Sequence, residues 1–162
     1  MLAAALLCAA LAVALGPTST RVRSWALSAL VVSAWVTYAT SLDRIGLDWA
    51  DGLFLACWLS IVGTASSVYL RQPIGIFAAV ILALNAGMLS GAITALTSNG
   101  SVWATLGAVS AVVVLWPVGW AARRQVTVPV KVVSSWLMAV AVLAAVLQFL
   151  PVTPGYLPDH VE

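Results

Sequence analysis

Long apolar runs constrain this chain more than any other feature of its sequence. Six such runs follow one another, separated by short segments that contain charged residues, Pro or Gly. A helix rises about 1.5 Å per residue and the hydrocarbon core of a bilayer is about 30 Å thick, so a spanning helix needs about 20 apolar residues. The predicted spans are residues 2–16, 25–42, 52–70, 74–97, 102–122 and 132–150.

These runs predict an all-α polytopic membrane bundle with short loops. Their backbone polar groups must be paired within the membrane, and they lack the alternating pattern of barrel strands. Hydrophobic residues make up 63% of the chain and charged residues 7%, whereas a soluble domain has about 25% charged residues. The lipid bilayer is therefore the expected solvent of a single transmembrane domain, and residues 151–162, which contain Pro and Gly, form a short tail outside it.

The charged residues alternate between the two sides that six spans would create. Basic residues of short loops stay on the cytoplasmic side, which predicts a bacterial-type inner membrane protein with both termini extracytoplasmic. The basic residues on the predicted inner side are Arg21, Arg23, Arg71, Arg123, Arg124 and Lys131. Arg44 and all five acidic residues lie on the other side. So few basic residues, scattered over separate loops, indicate no nucleic-acid partner.

The first predicted span is the shortest, because 15 residues cover only about 22 Å as a helix. A cleaved signal peptide is the alternative, since Ala12-Val13-Ala14 resembles a cleavage site, and five spans would then remain. The basic segment that normally precedes such an apolar stretch is absent. We therefore favour a retained helix.

The spans lack the residues that most membrane enzymes need. They contain no charged side chain, the single histidine, His160, is in the C-terminal tail, and Cys8 and Cys57 are not in C-x-x-C spacing. No catalytic residue, metal site or cofactor is predicted, and both cysteines are interpreted as small hydrophobic residues. The acidic residues of the second loop are interpreted as a solvated face in which Asp51 or Gly52 caps the third span, and the alternative is that Asp48 and Asp51 bind a cation or assist acid–base chemistry. That loop contains Asp43, Asp48 and Asp51.

Hydroxyl side chains recur at helical spacing in three spans. Such stripes can line a polar path, or they can bond across helices and back to their own backbone carbonyls, which is the commoner use. The stripes are Ser33, Thr37 and Ser41; Ser60, Thr64 and Ser67; and Ser90, Thr94 and Ser98. Trp35 and Trp58 lie deep in their spans and are expected to pack in the core, with contact to a ligand as the alternative.

The stretch "ILALNAGMLSGAIT" combines the one carboxamide near mid-membrane with closely spaced small residues. Gly87 and Gly91 form a G-x-x-x-G pair, and Ala86 and Ser90 form a second small-residue pair beside it, which favours close approach of another helix. Asn85 must face protein, water or a ligand, since an unpaired carboxamide in lipid is unfavourable. We interpret it as a contact between helices, with a solute contact as the alternative.

Three hypotheses for the function follow. The first is a non-enzymatic membrane subunit that packs against itself or against other membrane proteins in a larger complex. The second is a transporter or solute-binding component for a neutral or weakly polar molecule, recognised through hydroxyl groups, Asn85 and the deep tryptophans. The third is an enzyme whose cofactor or metal comes largely from a partner. The hydroxyl stripes and the stretch from Asn85 to Thr94 are the candidate site in the first two.

Overall fold

The computed structural model describes residues 2–41, 49–70, 74–97 and 127–149. Within these ranges the regular structure is entirely helical, so the predicted all-α class is confirmed for them. The elements are α1 (Leu2–Leu15), α2 (Thr20–Ser41), α3 (Ala50–Ser66, continued by a 3-10 turn at Ser67–Tyr69), α4 (Ile76–Thr97) and α5 (Thr127–Leu147). The predicted fifth span, 102–122, and the tail, 151–162, lie outside the described residues.

Three of the described helices are long and apolar enough to cross a membrane, by length and composition, as expected of a membrane protein. They are Ala50–Tyr69, Ile76–Leu96 and Val128–Leu147. The first helix, Leu2–Leu15, is apolar but shorter. Helix α2 has sufficient length but is less apolar, because it contains two arginines and a series of Ser and Thr residues. The total of six spans stays a prediction.

Helix α1 lies in the middle of the described bundle. Ten of its 14 residues are buried, on all sides of the helix. It packs against α3, α4 and α5, and its alanines join the central hydrophobic cluster with Leu30 of α2, Ile61 of α3 and Ile93 of α4. Because alanine side chains are short, the surrounding helices can approach the α1 backbone closely.

Neighbouring contacts define the directions of the helices. Gly87 of α4 lies against Leu30 of α2, and Gly91 lies against Ala34 and Tyr38, so the residue numbers rise together and the two helices are parallel. Helix α3, which connects them, runs the other way. The hydroxyl of Tyr69 donates a hydrogen bond of 2.9 Å to the carbonyl oxygen of Lys131, so α5 begins at the end of the bundle where α3 ends.

Two helices begin five residues earlier than the apolar runs predicted. Helix α2 begins at Thr20 instead of residue 25, and α5 begins at Thr127 instead of residue 132. Arg21, Arg23 and Lys131 therefore lie within the first five residues of helices rather than in loops. The hydropathy of a run marks the part of a helix inside lipid, whereas backbone hydrogen bonding continues beyond it into the polar region.

The start of α2 is attached to the end of α1 by an arginine side chain. The Nε atom of Arg23 donates a hydrogen bond of 3.1 Å to the carbonyl oxygen of Leu15, and its Nη2 atom donates to that of Gly16. The hydroxyl of Thr18 also donates to the Leu15 oxygen, at 2.7 Å. These donors satisfy carbonyls that have no partner within α1, and the positive charge suits the negative end of the helix dipole.

Candidate helix-contact site around Asn85

The glycines of α4 bring the backbones of α2 and α4 into direct contact. A Cβ atom at Gly91 would lie 2.5 Å from the carbonyl oxygen of Ala34 and 3.1 Å from the nitrogen of Tyr38. A Cβ atom at Gly87 would lie 2.5 Å from the carbonyl oxygen of Leu30 and would overlap the Ser33 hydroxyl. Glycine is therefore the one residue type that fits at either position without moving α2, and the helix that occupies this face belongs to the same chain.

The second small-residue pair lies on the inner side of α4. Ala86 and Ser90 are both buried, and the Ser90 side chain lies beside the thiol of Cys8 on α1. The Ser90 hydroxyl donates to the carbonyl oxygen of Gly87 at 3.1 Å, and that of Thr94 donates to the Ser90 carbonyl at 2.6 Å. These two hydroxyl groups bond within α4 while their helix packs against its neighbours.

Asn85 connects α4 to α3. Its Nδ2 atom donates a hydrogen bond to the hydroxyl oxygen of Ser60, which joins two polar residues far apart in the sequence. The bond lies near the middle of both helices, and Asn85 is exposed at the outer edge of the seam between them. Among the described residues its carboxamide oxygen has no hydrogen-bond donor.

The hydroxyl stripes of α2 and α3 do not meet along one path. Ser33 is buried under α4 and donates to the Leu30 carbonyl at 3.1 Å, and Ser67 donates to the Thr64 carbonyl at 2.6 Å. Thr37 is half-buried, and the side chain of Ser41 lies outside the described residues. The Thr64 hydroxyl is fully buried and has no partner in the described part of the chain. Ser98 also lies outside that part.

The expected capping role in the acidic loop is wrong. Trp49 occupies the N-cap of α3, no side chain there bonds the free N–H groups, and Asp51 lies exposed in the first turn. Its charge therefore acts on the positive end of the helix dipole rather than through a capping hydrogen bond. Asp43 and Asp48 lie outside the described residues. Within those residues no group of three or more His, Cys, Asp or Glu side chains is assembled.

The two deep tryptophans differ from each other. Trp58 is buried in the central cluster, as expected, but Trp35 is 54% exposed on the outer side of α2, and its ring lies 6.2 Å from that of Tyr38 between centroids, with a tilt of 35° between the planes. The prediction that Trp35 packs in the core is therefore wrong, because α2 buries only the narrow face that contacts α4. Cys8 and Cys57 are free, buried members of the same apolar cluster.

One surface was missed in the sequence. Gly52, Ala56 and Gly63 lie on the exposed side of α3, at spacings of four and seven residues that place them on one helix face, which they share with the exposed Leu59. The spacing was a usable signal, but Gly and Ala are so common in membrane helices that it did not stand out.

Comparison of the chain with protein-family models, with curated proteins and with solved structures finds no match.

Proposed function

We propose that this chain is a non-enzymatic subunit of a bacterial-type inner membrane, with both termini extracytoplasmic, that packs against other membrane helices in a larger assembly. The observation that carries this proposal is the position of Asn85. Asn85 is exposed at mid-helix and donates one N–H group to Ser60, and among the described residues its carboxamide oxygen has no hydrogen-bond donor.

Such a carboxamide is unfavourable in contact with acyl chains. Transfer of an amide into an environment without hydrogen-bond partners costs about 4–8 kcal/mol, and lipid tails provide no donor. A polar side chain from another helix removes this penalty, and contacts of this type stabilise helix association by about 0.6 kcal/mol and up to about 2 kcal/mol. A further helix beside Asn85 is therefore the simplest means of satisfying it.

The remaining polar groups support a packing role. In α2 and α4, Ser33, Ser90 and Thr94 donate to carbonyl oxygens of their own helix, which leaves no donor hydrogen for a solute. The glycines of α4 hold two helices in backbone contact. Both features rigidify a bundle and neither provides a reactive group.

A solute-binding or transport role is the second candidate, and one observation favours it. The hydroxyls of Thr64 on α3 and Ser134 on α5 are fully buried, and neither has a partner in the described part of the chain. Buried polar groups are normally paired, often through water. A small neutral molecule that both donates and accepts hydrogen bonds would satisfy them.

Co-purification under gentle extraction tests the subunit proposal. The wild-type chain should retain a stoichiometric membrane partner, either another protein or a second copy, and Asn85→Leu should lose it. Met88→Leu changes the exposed residue one turn further along α4 and is the matched control, so it should retain the partner. Equal retention by both variants, or a wild-type chain that is monomeric and alone, would contradict the proposal. Binding of a neutral metabolite by the purified monomer in liposomes, abolished by Thr64→Val, would favour the second candidate.

A further inference from the structure

Two buried thiol groups have no role in the subunit function proposed above. Cys8 of α1 and Cys57 of α3 are the only cysteines in the sequence. Neither side chain has exposed surface, and both belong to the central hydrophobic cluster. Their position relative to each other decides whether they are more than packing residues.

The two thiols lie at nearly the same depth in the bundle. The hydrogen bond between Asn85 and Ser60 fixes the register of α3 against α4, which run in opposite directions. Cys57 comes about one turn before Ser60, so it is level with the part of α4 about one turn after Asn85. Ser90 lies within about 3 Å of that level at helical rise. Since the Ser90 side chain lies beside the Cys8 thiol, Cys8 and Cys57 are level with each other.

The helices that hold the two thiols are in direct contact. Helix α1 packs against α3, and the side chains of Cys8 and Cys57 are close enough to interact electrostatically. Ala4 and Ala12, one turn before and one turn after Cys8 on the same face of α1, are buried. No large side chain beside Cys8 on that face therefore keeps a neighbouring backbone at a distance. A disulfide needs Cβ atoms about 3.5–4.5 Å apart, and a helix contact between small side chains allows this.

The surroundings of the pair favour an uncharged product over a bound metal ion. Along α1 and α4, and from Gly52 to Ser66 of α3, the sequence has no charged side chain. In the described part of the chain no third Cys, His, Asp or Glu side chain joins the two thiols, so a metal ion would have an incomplete set of ligands. A disulfide has no charge and removes two S–H groups from an apolar cluster.

We propose that Cys8 and Cys57 are a site of oxidative modification, at which a disulfide forms and links α1 to α3. The oxidant is a quinone dissolved in the membrane, because buried thiols in an apolar cluster are not accessible to oxidants in water. Two S–H bonds break and one S–S bond forms. The two electrons and two protons that are released convert the quinone to a quinol.

The disulfide acts on the central helix of the bundle. The C-terminal end of α1 is attached to α2 by the hydrogen bonds of Arg23, whereas its first half is held by packing alone. The link fixes that first half to α3 and leaves the contact between α2 and α4 unchanged. The oxidation state of the pair therefore controls how firmly α1 is held.

Thiol counting on the full chain in liposomes tests the site. The reduced wild-type chain is treated with a short-chain quinone, unfolded in denaturant together with an alkylating reagent, and measured by intact mass. The number of alkylated cysteines should fall from two to none, with the mass of a single chain, and reduction should restore both. Digestion of the oxidised chain should release one linked peptide pair that contains Cys8 and Cys57.

A double variant, Cys57→Ala with Ala56→Cys, is the matched control. It keeps two cysteines but moves one thiol to the exposed side of α3 at nearly the same depth, where it is easier to reach and faces away from α1. It should form no link within one chain. The proposal is overturned if the wild-type chain keeps both thiols or gains a quinone adduct, or if the control closes as completely as the wild type. The subunit function rests on Asn85 and is unaffected by any of these results.

Discussion

Replacing Gly91 with alanine is expected to separate α2 from α4. The added Cβ atom would lie 2.5 Å from the Ala34 oxygen, whereas ordinary van der Waals contact begins near 3.4 Å, so the two atoms must move apart by about 0.9 Å. Both neighbours are backbone atoms, and a rotamer change cannot relieve the overlap. The whole α2 helix must move.

The energetic effect follows from that displacement. Overpacking of a tight contact destabilises by about 1–3 kcal/mol, and α2 has no other helix partner of comparable extent in the described bundle. Alanine is a better helix former than glycine by about 0.5–1 kcal/mol, which opposes the loss. We expect a net decrease of about 1–2 kcal/mol in the free energy of unfolding, near the middle of the range that these two terms allow.

Gly63→Ala is the matched control, because it makes the same chemical change within an apolar helix at a position with open space. It should be neutral or more stable than the wild type by up to about 1 kcal/mol. Steric trapping or reversible unfolding in mixed micelles, at a dilution where the chain is monomeric, measures both variants. If Gly91→Ala proved as stable as Gly63→Ala, the backbone contact between α2 and α4 would be refuted.

Further predictions concern the other contacts. Arg23→Gln should lower the free energy of unfolding by about 1–2 kcal/mol, since charged hydrogen bonds to the end of α1 are lost, whereas Arg21→Gln should have little effect; equal effects would argue against this cap. A double-mutant cycle with Asn85→Leu and Ser60→Ala should give a coupling of about 0.6 kcal/mol and at most about 2 kcal/mol, and zero coupling would contradict the bond. Intact mass of the membrane-extracted protein should include α1, because its removal would empty the centre of the bundle; a mass that lacks it would contradict this arrangement. Labels at Thr97 and Thr127 should react from opposite sides of the membrane, and labelling from one side would contradict the helix directions.

The sequence predicted the contact at Gly87 and Gly91 but not which helix makes it. Small-residue spacing encodes how closely a backbone can approach, and any helix with a compatible groove satisfies it. The bond between Asn85 and Ser60 could not be predicted for the same reason. Each side chain was identified as a polar group needing a partner, yet their pairing depends on the antiparallel register of α3 and α4, which no local pattern contains.

Features at helix ends were the hardest to predict. Hydropathy placed Arg23 and Lys131 in loops, because it responds to the lipid boundary and not to backbone hydrogen bonding.

Trp35 was expected in the core because of its depth, but depth within a span does not determine the direction in which a side chain faces. The central position of α1 was not predicted either, because the length and hydropathy of a span do not determine which helices it contacts.

The parallel contact between α2 and α4 has a consequence for synthesis of the chain. Helix α2 ends at Ser41 and α4 ends at Thr97, so at about 5–20 residues per second a ribosome needs about 3–11 seconds to produce the second partner after the first. During that interval the less apolar α2, with Ser33 facing the surface that Gly87 later covers, lacks its main helix partner. We expect α2 to remain beside the insertion machinery until α4 arrives, and the two helices to enter the lipid together.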